Sequence, residues 1–487
     1  MEFSFQFRAG QAQRLAPEQP MKLLLLGNFG GARQDVAALA ERRPRKVDID
    51  NLDAVLAHFA PCLELELAQF GGALQINFSS FDDFHPDNLY DNLPLFANLR
   101  ATRARLLNPA TFAAAATELG APPPSAAPAP AGQAQPVSDF AALLGRSAAP
   151  PQAAAGSLGQ LDALIRNAVA PHIVQAHDPS MYLAAVDDAA ASLMRAILHH
   201  PQFQALEALW RGVHFLITNL NLDDGLQLHL LQAGQEETAA DLRNAGTELS
   251  RAALYRTLVE APRQGADGTP WALLLSDWRF GPDALDVHHL AAFGAIAAAA
   301  GAPLLAAAKP ELLGAQSLAQ QADGRDWGAL DAESAARWQA LRSAPQAAWI
   351  GLCLPRLLQR LPYGKASDPV SRFTFEENVM QHQEFLWGSG AFAPALLLAQ
   401  AWLEDGWEMQ TPTQLEIGDL PAYTWREEGE ARLLPAAEAC LSEQAADRML
   451  QAGVMPLHSY KNRNAVRLLR LQSMASPACA LRGRWGA

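Results

Sequence analysis

With 487 residues, half of them hydrophobic, the chain is too long for one core and has apolar material for two or three. It carries 37 basic against 51 acidic residues, a formal net charge of -14, which argues against nucleic acid or an anionic membrane as its main partner. The four cysteines, Cys62, Cys353, Cys440 and Cys479, lie far apart without a CxxC pair, predicting reduced, mostly buried thiols rather than a disulfide framework or a zinc site.

The N-terminus, MEFSFQFRAG, has no basic stretch leading into an apolar run, so no signal peptide is expected. FSFQF at 3–7 alternates, placing Phe3, Phe5 and Phe7 on one side of a strand open to augmentation. KLLLLGNF at 22–29 is a short continuous apolar run, as in a buried strand. The GNFGGAR that follows lacks the Lys and hydroxyl of a Walker A loop, and no GxGxxG fits, so it reads as a glycine-rich turn. From Asp50, DNLDAVLAHFA puts Leu52, Val55, Leu56 and Phe59 on one helical face. LELEL (63–67) and LQINF (74–78) alternate around Gly71-Gly72 as a hairpin.

FDDFHPD at 81–87 clusters Asp82, Asp83, His85 and Asp87. A calcium loop alternates its oxygen ligands around a Gly. Here Pro86 and the acids instead fit the first turn of a helix, so no metal is expected. A helical stretch from about 87 to 118 closes this first module, residues 1–120, a small α+β unit.

Residues 121–157 are an Ala/Pro-rich linker whose flanks cannot bury a core. VSDFAALLGR at 137–146 predicts a short helix with Phe140, Leu143 and Leu144 on one face, either a docking peptide or a turn packed on its own domain. The second module, 158–487, opens with a helical pattern to about 199. Strands LQLHLL (226–231), WALLLSD (271–277), APLLAAA (302–308) and AWIGLCLP (348–355) then alternate with helices, predicting an α/β sheet covered on its faces. The Ala-rich window at 295–308, broken by Gly301 and Pro303, is too short to span a bilayer. A cytoplasmic protein without membrane insertion is expected.

Catalytic signals are absent from the pattern. His199-His200 and His288-His289 lack HExxH; His200 precedes Pro201 at a helix end, where partial positive charge would be favourable. No GxSxG occurs and no cofactor is called for. Trp210 with Arg211 in WRG, like Trp271, Trp278, Trp338, Trp387 and Trp407, sits near Gly or Pro, as core corners and interface anchors do.

ILHHPQFQALEALWRGVHFL at 197–216 resembles the signature of the large subunit of the type VI secretion contractile sheath. LLLSDWRFGPDALDV (273–287), GAPLLAAAKPELLG (301–314), WIGLCLPRLLQRLPYG (349–364), FTFEE (373–377), FLWGSGAFA (385–393), DGW (405–407) and MPLHSYKN (455–462) follow in the same order. KLLLLGNFGGA, the stretch 41–57 and LQINFSSFDDFHPDNL (74–89) are similar to the small sheath subunit. The resemblance implies a structural, non-enzymatic protein, a fusion of two subunits that pair as heterodimers around an inner tube. It implies partners among sheath subunits, further copies of the chain, the inner tube protein and baseplate components. By the same resemblance, the 137–146 helix falls where an AAA+ unfoldase grips contracted sheath. The short segment after Asn462 predicts weaker interlocking, hence one alternative, an accessory that caps, nucleates or regulates the sheath; a remoter alternative, from another class, is a nucleotide-using enzyme on the α/β module.

Overall fold

The computed structural model describes residues 18–485, apart from 34–35, 68–71, 120–178, 265–267, 411, 413, 428–429 and 461–462. The FSFQF strand with Phe3, Phe5 and Phe7, the linker, and the 137–146 helix with Phe140, Leu143 and Leu144 lie outside the described residues. No helix among the described residues is long and apolar enough to cross a membrane.

The first apolar run forms β1 (Met21–Gly27), and where it sits organises everything else. It lies in a nine-stranded sheet between two strands of the second module, β5 (Leu226–Gln232) and β6 (Leu273–Phe280), parallel to both. Met21 pairs with Leu226, and Leu23 with both Leu228 and Leu273. Outward from β6 run β7 (Leu304–Ala308), β8 (Ile350–Leu354) and β14 (Val454–Ser459), all parallel. Antiparallel strands finish both edges: β2 (Arg45–Val47) on β5, and β15 (Val466–Leu468) then β11 (Glu416–Ile417) on β14.

Counted along the chain, the six parallel strands stand in the order 2-1-3-4-5-6, a doubly wound α/β sheet. Both faces are covered, which explains why β1 carries the continuous apolar run Leu23–Leu26 rather than alternating. Met21, Leu23 and Leu25 belong to one core and Leu24 and Leu26 to the other, all with no exposed surface. Each contributes roughly 1.5–3 kcal/mol by burial.

On the first face pack α1 (Leu52–Phe59), the hairpin β3 (Cys62–Leu67)–β4 (Gly72–Asn77), α2 (Pro86–Asn92), α3 (Pro94–Leu107), α4 (Phe112–Glu118), α5 (Pro179–Leu198), α6 (Pro201–Asn219) and α10 (Phe392–Asp405). On the second lie α7 (Gln235–Ala245), α8 (Ala284–Ala300), α9 (Ala332–Arg342) and α11 (Glu443–Ala452). Helix α8 is apolar on nearly all sides because it is buried on nearly all sides. The small hairpins β9 (Leu357–Leu358)–β10 (Trp387–Gly388) and β12 (Tyr423–Glu427)–β13 (Glu430–Leu434) lie outside the main sheet.

The two modules therefore share one sheet and the cores on both its faces, and the α+β character of the first holds only for what surrounds β1. The segment SPACALRGRW forms no strand. It packs over the sheet, with Arg484 Nε donating to Trp271 O at 3.0 Å and Nη2 to Ala300 O at 2.6 Å. Of the four cysteines, all free, only Cys353 is buried, because it lies on central β8 while Cys479 sits in this surface segment.

A protease site inserted between residues 120 and 178 tests the shared sheet. After complete cleavage the two fragments should co-elute on gel filtration and unfold in one thermal transition. Separate elution would contradict the strand order.

Candidate functional site: the seam between the two halves

The signature segment becomes α6, whose N-terminus is built by Pro201 at the first helical position and His200 as cap. His200 Nδ1 accepts the Gln202 N–H at 3.3 Å, which needs an unprotonated nitrogen, and burial lowers the His200 pKa. The positive charge expected there is replaced by a neutral acceptor, as suits the N-terminal end of a helix dipole.

The face of α6 turned to the first half is aromatic. Trp210, fully buried, donates from Nε1 to Phe29 O at 3.2 Å, and its ring lies 5.4 Å from Phe29 and 6.0 Å from Phe59. It thus anchors the GNFGG turn and α1 together. Within that turn Gly31 has φ +63, and a Cβ there would meet Cys62 O at 2.5 Å. Phe203 packs 6.0 Å from Phe78 and 5.9 Å from Phe84, which stack at 4.4 Å. His214 stacks on Phe81 at 4.7 Å. On the other side, Gly212 lets α10 approach: an added Cβ would lie 2.5 Å from the Phe392 ring.

The polar face of the same helix is consumed by a buried charge network. Glu207 (0% exposed) accepts from Arg211 Nε at 2.7 Å and Arg360 Nε at 2.8 Å. Arg360 (8% exposed) also donates from Nη1 to Glu377 Oε2 at 2.7 Å. Glu377 (1% exposed) further accepts the Tyr363 N–H at 2.7 Å. Arg211 Nη2 donates to the Tyr363 hydroxyl at 2.9 Å, and the Arg360 guanidinium covers the Tyr363 ring at 4.2 Å. His199 Nε2 approaches Glu377 Oε1 to 3.3 Å without hydrogen-bond geometry. Burial alone would raise the Glu377 pKa, but the Arg360 charge and the donated hydrogen bonds win and hold it at about 2. Burial pushes the Tyr363 hydroxyl up to about 12, so it stays a neutral donor and acceptor. Every charge in this cluster has an opposite partner in it.

The FDDFHPD cluster serves the seam as well. Asp83 caps the turn at Ser79 and Ser80, accepting both backbone N–H groups. Asp87 reaches into the second half, accepting from Ser371 N at 3.0 Å, Ser371 Oγ at 2.7 Å and Arg372 N at 2.9 Å. Tyr90 stacks on Phe373 at 4.4 Å. Ion pairs that cross the seam include Arg42–Glu237 and Arg103–Asp187 at 2.7 Å, and Asp91–Arg372 at 2.8 Å. Being partly exposed, each contributes at most about 1 kcal/mol, so packing holds the seam. No group of three or more metal-ligating side chains occurs among the described residues. His289, of the second histidine pair, is buried against Thr238 Oγ1 at 3.2 Å, and burial lowers its pKa to about 3.

Of the residues expected to mediate interactions, the structure places Trp210 and Arg211 side by side on α6: Trp210 reaches across the seam to Phe29, while Arg211 hydrogen-bonds Glu207 and Tyr363 of its own half and lies 5.6 Å from the Phe81 ring. The charge partners Glu207, Arg360 and Glu377 were not anticipated. Their only sequence signal is charge inside apolar helical or strand pattern, as in FQALEALW.

A strand from one half completes the sheet of the other, and an aromatic and hydrogen-bonded seam locks the two together. The chain's family follows from comparison. Residues 180–475 match the family described as VipB: EvpB/VC_A0108, tail sheath N-terminal domain, and the chain belongs to that family. Residues 2–118 match a second family, described as Type VI secretion system, VipA, VC_A0107 or Hcp2, so both sheath-subunit types occur in one chain. The chain is 30% identical over 304 residues to the type VI secretion system sheath protein TssC1 of Pseudomonas aeruginosa, covering 61% of each protein. It thus spans about three fifths of that relative's length.

Arg360→Met would leave Glu207 and Glu377 buried beside one remaining arginine, costing roughly 3–5 kcal/mol, readable as a large drop in melting temperature. The Glu377 carboxylate, held below its ordinary 4.5, stabilises the fold above that pH and loses this contribution as the pH falls toward 2. Acid unfolding of Glu377→Gln should accordingly be less steep over that range, as followed by circular dichroism.

Proposed function

We propose that the chain is a self-contained sheath protomer of a type VI secretion apparatus, in which the two sheath-subunit types act as one polypeptide. The observation that carries this reading is β1 seated between β5 and β6: the first half supplies the strand that completes the second half's sheet. A heterodimer would obtain that strand from a separate subunit. With both in one chain, their ratio is fixed at one to one. In this reading the protein works in the cytoplasm, associates with further copies or with separate sheath subunits, surrounds the inner tube and meets the baseplate. The 137–146 helix is its handle for an AAA+ unfoldase, and the chain carries no catalytic activity of its own.

One observation favours the accessory reading. Residues 473–485 fold back on their own chain through Arg484, Leu481 and Trp485 rather than reaching outward.

Negative-stain electron microscopy of the purified full chain, alone and with inner tube protein, separates the two. Long striated tubes are the expected outcome for a protomer. Discrete particles that bind the end of a sheath built from other subunits would establish the accessory role instead.

A further inference from the structure

In a doubly wound sheet the crevice for a ligand opens where successive connections leave to opposite faces, beyond the carboxyl ends of the strands. Here that point lies between β1 and β6. The chain leaves β1 toward the α1/α6 face and leaves β6 toward the α8 face. A cavity of about 550 Å³ occupies the place, lined by Asn28 after β1, Asp277, Trp278 and Arg279 of β6, Gln235 of α7, and Lys309 and Glu311 after β7.

The strand is irregular at this spot. Leu275 pairs with Leu305 but Arg279 with Ala307, so Ser276, Asp277 and Trp278 form a bulge. Such bulges re-aim side chains beside functional sites. All three residues carry an enclosed polar atom with no partner among the described residues: Ser276 Oγ, Asp277 Oδ1 and Trp278 Nε1. Three consecutive unsatisfied groups are unusual, since each costs about 1–3 kcal/mol when left unmade.

Charge accounting narrows the ligand. Lys309 is held by Asp286 at 2.6 Å and Asp283 at 3.8 Å. Arg279 has Glu311 and Glu438 acting on it as counter-charges, against Arg356. Among these lining groups, Asp277 has no ion-pair partner among the described residues. We propose that this crevice binds a single ammonium or guanidinium group, which supplies Asp277 with the donor and counter-ion the fold withholds. The group's source is either a small free amine or an Arg or Lys side chain of a second copy. Burial without a partner raises the Asp277 pKa to about 7, so the site is half-charged near neutrality and gains affinity as the pH rises. The other ionisable groups lining the cavity are Arg279, Lys309 and Glu311.

The test titrates full-length protein calorimetrically with ethylguanidinium and n-butylamine at pH 6 and pH 8, with potassium chloride at matched ionic strength. Saturable one-site binding, about tenfold tighter at pH 8 than at pH 6, is expected from ionisation of Asp277. In Asp277→Asn the affinity at pH 8 should fall at least about tenfold and the pH dependence should vanish. No saturable binding at pH 8, or equal binding by Asp277→Asn, overturns the proposal. The wild-type pH dependence stands as a readout even if the variant misfolds; binding that is equal at both pH values also overturns it. Sedimentation with and without ethylguanidinium then assigns the source. Dissociation of oligomers by the probe identifies a neighbouring copy's side chain, and an unchanged profile identifies a free amine.

Discussion

The structure depends on one insertion: β1 hydrogen-bonds on one edge to β5 and on the other to β6, and those two strands touch only through it. Removing one strand from a sheet leaves a gap of about twice the roughly 4.8 Å strand spacing. It also opens two rows of backbone donors and acceptors in the middle of a buried layer, where each unmade pair is costly. The larger half cannot close over such a gap without rebuilding its core. The smaller half without its partner would expose a seven-residue strand apolar on both sides, a strong aggregation hazard. Each half is thus incomplete for the opposite reason.

The seam repeats this logic with side chains. Trp210 has surface to bury only because the GNFGG turn and α1 come from the first half. Just behind it, Glu207 and Arg360 would be intolerable singly, since desolvation of one charge exceeds what a distant partner returns. They persist because Arg211 and Glu377 complete a set of two acids and two bases. Such a set adds little net stability over apolar packing, but it fixes a geometry. It ties α6 to the 360–377 segment, and Asp87 and Tyr90 then dock on the 371–373 end of that segment. Packing supplies the strength of the seam, and the charge set, which lies wholly within the larger half, fixes the surface on which the smaller half docks.

Much of this was legible in the sequence. Periodicity placed α1, the β3–β4 hairpin and the strands β5 to β8 within a few residues, because each has a local hydrophobic signature. The continuous run Leu23–Leu26 correctly signalled a strand buried on both faces. What it could not signal was which sheet buried it. A pairing between residues 21 and 226 leaves no trace in either segment, since any parallel apolar strand presents the same backbone. β14 and β15 escaped notice because Val454–Ser459 carries Pro456 and His458 and Val466–Leu468 is only three residues. The charge network was invisible for a different cause: a lone Glu in an apolar helical stripe looks like an error until its partner, 153 residues on, is known.

That separation has a kinetic side, and it bears on why both halves share a chain. Closing a loop between residues 21 and 226 costs entropy that grows only as the logarithm of its length. In separate subunits the same step is bimolecular and dilute. A tether holds the strand near its slot at an effective concentration on the order of millimolar. The price is high contact order, which slows folding and leaves β5 and β6 unpaired in the interim. Because β1 is synthesised first, it is already waiting when β5 and β6 emerge. The chain order of this fusion, small half before large, is therefore the one that shortens the exposure of the unfilled sheet.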